Sequence, residues 1–116
     1  MINKENLQKA IDTLPDSLIA CYLFDGENYC VVGHMLHAVG IPDQLLLAHS
    51  TFVYFGGEIG YQSYYELLSQ HYGINALDSK NLLHLNDNTA SSRRVTKCKQ
   101  ALERLLHGDK VFLRLY

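Results

Sequence analysis

From Cys30 to Gly40 the chain reads CVVGHMLHAVG, and no other stretch restricts the fold as much. Wound as a helix from Cys30 to Val39, its residues Val31, Val32, Met35, Leu36, Ala38 and Val39 sweep an arc of about 160° at 100° per residue. Gly40 stands just past the end, where a left-handed conformation costs glycine little. The opposite side carries Cys30, His34 and His37 at i, i+4 and i+7, beside Gly33. Glycine inside a helix costs about 1 kcal/mol relative to alanine and is usually kept where another backbone comes close. Both sides are therefore expected to be covered, which makes this the central helix of the domain.

The remaining sequence supplies the cover. Asn3 can cap a helix from about Lys4 to Leu14, with Pro15 as its stop. Asp25-Gly26 is a turn dipeptide, and a short hairpin of Ile19–Phe24 with Asn28–Cys30 fits around it, against a helix ending near Phe24 as the competing reading. A short helix is expected from Pro42 to about His49. TFVYFGGEIGYQ, with glycines at 56, 57 and 60, cannot be a regular helix and reads as the longest irregular segment. A further helix runs through YQSYYELLSQHY to Gly73, and another from Asp78 or Ser79 to Leu85. NDNTAS reads as a turn before a last helix from Ser91 or Ser92 to Gly108. KVFLRLY alternates like a strand. An isolated hairpin and a lone strand are each marginal in water, so they are expected to pair. The expected fold is α+β, mostly α: five to six helices around Cys30–Val39, with a small hairpin joined by the C-terminal strand, all in one domain over residues 1–116.

With 47% hydrophobic and 19% charged residues, a chain of 116 residues can bury a core and fold unaided. No apolar run approaches the ~20 residues of a membrane-spanning helix, and the amphipathic start lacks a secretory signal. The expectation is a cytoplasmic protein without a membrane partner. Its cysteines, Cys21, Cys30 and Cys98, are odd in number and so expected to be reduced. The net charge of -2 is unevenly spread: residues 1–90 hold three lysines against ten carboxylates, and residues 91–116 hold seven bases against two carboxylates. Such asymmetry marks either a nucleic-acid-binding end or two parts of one domain attracting each other. The second is the plainer reading.

Three readings fit the row of Cys30, His34 and His37. A metal site would need a fourth donor, from His71, His84, Asp87 or Cys98, and no paired-cysteine or His-Glu-x-x-His motif supports it. A reactive thiol has Cys30 at a helix N-terminus with His34 one turn on, and His84, Asn86 and Asp87 as candidate base and orienting group. The third reading is structural: Gly33 marks the side as covered, and Cys30 is then a small buried hydrophobe. It is preferred here, so neither a catalytic residue nor a metal or other cofactor is assigned.

A Cys-x-x-Gly-x-Leu/Met helix start after an Asp/Gly turn, followed some fifty residues later by an apolar residue, Asn-Asp and a closing helix, resembles a family of small uncharacterised bacterial and phage proteins. The residues that carry the likeness are Cys30, Gly33, Met35, Gly40, Asn86, Asp87 and the helix from Ser92. Members often have Trp before Asn-Asp and a small residue after the glycine; Leu85 and His34 stand there in this sequence. The resemblance implies no activity.

Two binding functions remain. Phe52, Tyr54, Phe55, Tyr61, Tyr64 and Tyr65 crowd a glycine-rich segment, and tyrosine-rich surface suits partner contacts at low entropy cost, which points to an interaction module that forms a homodimer. Arg93, Lys97 and Arg104, with Gln100, share one face of the last helix and could follow a phosphate backbone. A charged face is more often simply solvated, and the expected turn before it is longer than that of a helix-turn-helix, so nucleic acid is not the expected partner.

Overall fold

The computed structural model describes residues 1–47 and 52–111. Its elements run α1 (Lys4–Asp12), α2 (Val31–Ala38), α3 (Asp43–Leu46), β1 (Phe52–Tyr54), β2 (Tyr61–Ser63), α4 (Tyr64–Tyr72), α5 (Ala76–Asn88) and α6 (Ser91–Leu106). It is an α+β fold, mostly helical, in which one hydrophobic cluster draws on every helix.

Helix α2 is the hub. Residues Val31 to Leu36 are all buried, and α1, α4 and α5 pack against it. Gly33 explains how the chain can approach so closely: a Cβ there would lie 1.7 Å from the Leu23 carbonyl oxygen. On another side the Tyr72 hydroxyl, fully buried at the end of α4, donates to the Met35 carbonyl. The caps are local. Asn3 accepts from the Asn6 amide at 3.0 Å, Ser63 from Glu66 at 3.3 Å and Asn75 from Asp78 at 2.8 Å, each satisfying one otherwise orphaned N–H of a first turn. Gly73 ends α4 at φ 72°.

Several boundaries and one motif differ from the sequence expectation. Around Asp25-Gly26 there is one bridge, Phe24 with Tyr29, and no strand. The Asp25 carboxylate accepts from the Glu27 and Asn28 amides at 2.9 and 2.7 Å, an Asx turn that closes the bend beside that single bridge. The hairpin lies instead in the segment expected to be irregular: β1 and β2 pair antiparallel with Tyr54 opposite Tyr61, and the glycines at 56, 57 and 60 make the turn, all with positive φ. Helix α5 starts earlier than Asp78 and continues past Leu85 to Asn88, so Asn86 and Asp87 are helical, not a turn. The link to α6 is Thr89 and Ala90 alone. Helix α3 ends at Leu46, and residues 48–49 of its expected course lie outside the described residues. So does the expected C-terminal strand from residue 112 on. Val111 is buried and held to α5, its amide donating to Asp78 at 3.1 Å and its carbonyl accepting from Asn81 at 3.2 Å.

Candidate functional site

Cys30, Asn86, Asp87, Arg94 and Cys98 meet in a buried seam between α2, α5 and α6. Cys30 is the N-cap of α2, its sulfur accepting from the Gly33 amide at 3.3 Å. Asn86, with no exposed surface, accepts from the Val31 amide at 2.9 Å and donates to the Ile19 carbonyl at 2.8 Å. Its amide also donates to Asp87 at 3.0 Å, and the Asp87 carboxylate in turn accepts from the Cys21 amide at 3.1 Å. That bond holds Cys21 at φ 73°, in the left-handed region. Arg94 threads the seam from α6 and donates to three carbonyls, Asn86 at 2.7 Å, Leu18 at 2.9 Å and Thr89 at 2.9 Å. Its planar fork suits this use, since the donors diverge in fixed directions.

This seam answers the thiol question. Burial pushes the Cys30 and Cys98 thiols up to about 12. The bonds from the Gly33 and Val32 amides pull Cys30 the other way, but desolvation wins. A thiolate nucleophile is therefore disfavoured at Cys30. His84 is exposed on the surface of α5, and Asp87 is bound to Cys21 and Asn86, so the structure does not assemble Cys30, His84 and Asp87 as a catalytic set. Cys21 is the exposed thiol.

The two histidines of α2 do different things. His34 is buried, and its Nε2 donates to the Ala10 carbonyl at 2.8 Å, with Thr13 Oγ1 at 3.3 Å, closing the C-terminal turn of α1. Desolvation holds this imidazole below its ordinary value, against the Ala10 bond that raises it. His37 stands at the surface. Its Nδ1 meets Asp43 at 2.8 Å, and the Tyr29 hydroxyl donates to the other oxygen of the same carboxylate at 2.7 Å, which ties the end of α2 to the start of α3. Among the described residues no group of three or more His, Cys, Asp or Glu side chains is placed to hold a metal ion.

The aromatic segment divides. Tyr64 belongs to the core, and Phe55 and Tyr65 are half-buried against it, with Lys80 Nζ 4.8 Å from the centre of the Tyr65 ring. Val53 anchors β1 in the core, so strand alternation turns Phe52 and Tyr54 outward at 49 and 51% exposure. Tyr54 packs on Tyr61, its cross-strand partner, with ring centroids 4.6 Å apart, and Tyr61 is 70% exposed. Ile59 extends the same loop at 64% exposure.

The basic residues divide as well. Arg104 sits 3.9 Å from Asp109 near the end of α6. Arg93 and Lys97 instead line a cleft of about 280 Å³ with His84, where α5 passes into α6. The α5–α6 link, expected to be long, is shorter than the 3–4 residues of a helix-turn-helix. No helix among the described residues is long and apolar enough to cross a membrane. Comparison with protein-family models, curated proteins and solved structures finds no match to this chain.

Proposed function

We propose that this protein is a non-enzymatic interaction module that forms a homodimer through the β1–β2 hairpin. The observation that carries the reading is the Tyr54–Tyr61 pair: two rings in tilted contact, held in place by strand pairing, that remain largely exposed. A pre-ordered aromatic pair loses little side-chain entropy on docking, which is why tyrosine is favoured at interface centres. A second copy suits the face because residues 52–65 contain Glu58 as their single charged side chain, so two copies can meet with little like-charge repulsion. Closed two-fold dimers are also the commonest soluble assembly. The buried seam supports the non-enzymatic part of the reading, since Cys30 is occupied as a helix cap. The family resemblance fits the same view: Cys30, Gly33, Asn86 and Asp87 act in this chain as packing and hydrogen-bonding residues.

Sedimentation equilibrium at tens of micromolar tests the proposal. The wild type is expected at twice the chain mass of 13.2 kDa. Replacing Tyr54 and Tyr61 together by Ser is expected to move it towards monomer with the helical circular-dichroism signal unchanged. A wild-type mass that stays monomeric at every concentration overturns the reading.

A further inference from the structure

The cleft between the end of α5 and the start of α6 brings together His84, Arg93 and Lys97 and has no carboxylate in its lining, on a chain whose net charge is -2. Neither Arg93 nor Lys97 has an ion-pair partner among the described residues. Cations gathered in a concavity without counter-charge raise the local concentration of anions, because the low-dielectric walls focus their field.

Four of the carbonyls around the cleft are already occupied. Helix α5 ends here, and the bare C-terminal oxygens of a helix would ordinarily repel an anion. In this chain the His84 carbonyl accepts from the Asn88 side chain at 2.9 Å and the Leu85 carbonyl from the Thr89 hydroxyl at 2.6 Å. The Thr89 carbonyl accepts from Arg94 at 2.9 Å and the Ala90 carbonyl from the Arg93 amide at 2.9 Å. The buried Arg94 guanidinium adds a full positive charge behind them. Helix α6 then begins with no side-chain cap and no acidic residue in its first turn, so its positive end is not neutralised locally.

We infer that this cleft binds a small phosphomonoester, with Arg93 and Lys97 on the phosphoryl oxygens, a ring N–H of His84 as a further donor, and Leu85 against the body of the ligand. The size favours a small molecule, since about 280 Å³ lies just below the roughly 300–1,000 Å³ typical of ligand pockets. The charge layout favours it over a nucleic-acid backbone: the face that would continue along α6 reaches Arg104, which is placed beside Asp109. A compact dianion uses three converging donors at one point, whereas a duplex needs them in a row. This site is separate from the aromatic hairpin and does not depend on dimerisation.

The test is amide NMR titration of the full chain with ribose 5-phosphate and with inorganic phosphate, each against sodium chloride of matched ionic strength. The expected result is saturable shifts centred on His84, Asn88, Thr89 and Arg93 at millimolar ribose 5-phosphate or below, with inorganic phosphate weaker at the same residues. Arg93→Gln with Lys97→Gln is expected to weaken binding at least tenfold, and circular dichroism on the same sample checks that the fold is kept. Should that double variant lose its helical signal, Arg93→Gln alone, on an exposed residue, is to give at least a threefold loss. Shifts no larger than those from sodium chloride, unchanged binding in the variants, or tighter and steeply salt-dependent binding of a duplex oligonucleotide at these residues would each overturn the inference.

Discussion

The Asn86 side chain, from the middle of the chain's second half, accepts a hydrogen bond from the Val31 amide at 2.9 Å, across 55 residues of sequence. The bond satisfies an amide in the first turn of α2 that has no partner within the helix, in a place that water does not reach. The same amide group donates to the Ile19 carbonyl, so one side chain fixes both the start of the central helix and the segment leading to it.

Asn86→Ala would leave the Val31 N–H unpaired in the core and the Ile19 carbonyl, half-buried beside it, without its partner. Each orphaned group costs about 1–3 kcal/mol, so a loss of roughly 3 kcal/mol is expected. Asn86→Asp should be no better, because a carboxylate cannot donate to Ile19 and would stand beside Asp87. Urea denaturation measures both; a change below 0.5 kcal/mol in either would show that the seam is dispensable.

Thiol titration under native conditions should find a single fast-reacting cysteine, Cys21, since Cys30 and Cys98 are buried with pKa values pushed up to about 12. The same shifts set a pH dependence. Unfolded thiols ionise near 9 while the folded ones stay protonated, so the unfolded state binds fewer protons and stability falls as pH rises from 9 towards 12. A fast second thiol at pH 7 that is lost in Cys30→Ser would restore the reactive-cysteine reading.

Much of this architecture is written in local signals. Asn3, Gly40 and Gly73 mark helix ends because capping and positive φ depend on residues a few positions away. Gly33 signals close approach through the absence of a side chain, although Leu23 as the approaching backbone is not legible. Asn86 and Asp87 read locally as a turn because Asn and Asp near a helix end usually turn back on their own backbone. Here their partners are Val31, Ile19 and Cys21, which tertiary structure alone brings near. The hairpin is obscured differently: three glycines argue against regular structure, yet they make the turn between two strands of three residues each. The basic residues could be read as one helical face, but their division between the cleft and Asp109 could not.

Gly33→Ala separates helix propensity from packing. On propensity alone the change should stabilise α2 by about 1 kcal/mol. The new Cβ, however, would lie 1.7 Å from the Leu23 oxygen, which also accepts from the Cys30 amide at 3.2 Å, so backbone must move at the helix start. The expected outcome is a loss above about 3 kcal/mol, or no cooperative thermal transition. A raised melting temperature would show that the Leu23 segment yields without cost.

His34 should make the fold sensitive to mild acid. Burial favours its neutral form, so the folded pKa lies below the ordinary 6.5 and the unfolded chain takes up the proton first. Stability is then fully present above pH 6.5 and is lost as pH falls below it towards the folded value. Asp43 and Asp25, whose carboxyls are held below 3.8, contribute only at lower pH, which leaves the window just under 6.5 free of them. Gln at position 34 can still donate to the Ala10 carbonyl but does not titrate. Urea midpoints measured between pH 7.5 and 5 should therefore fall for the wild type and fall less for His34→Gln. Parallel slopes in the two proteins would place the acid sensitivity in another group.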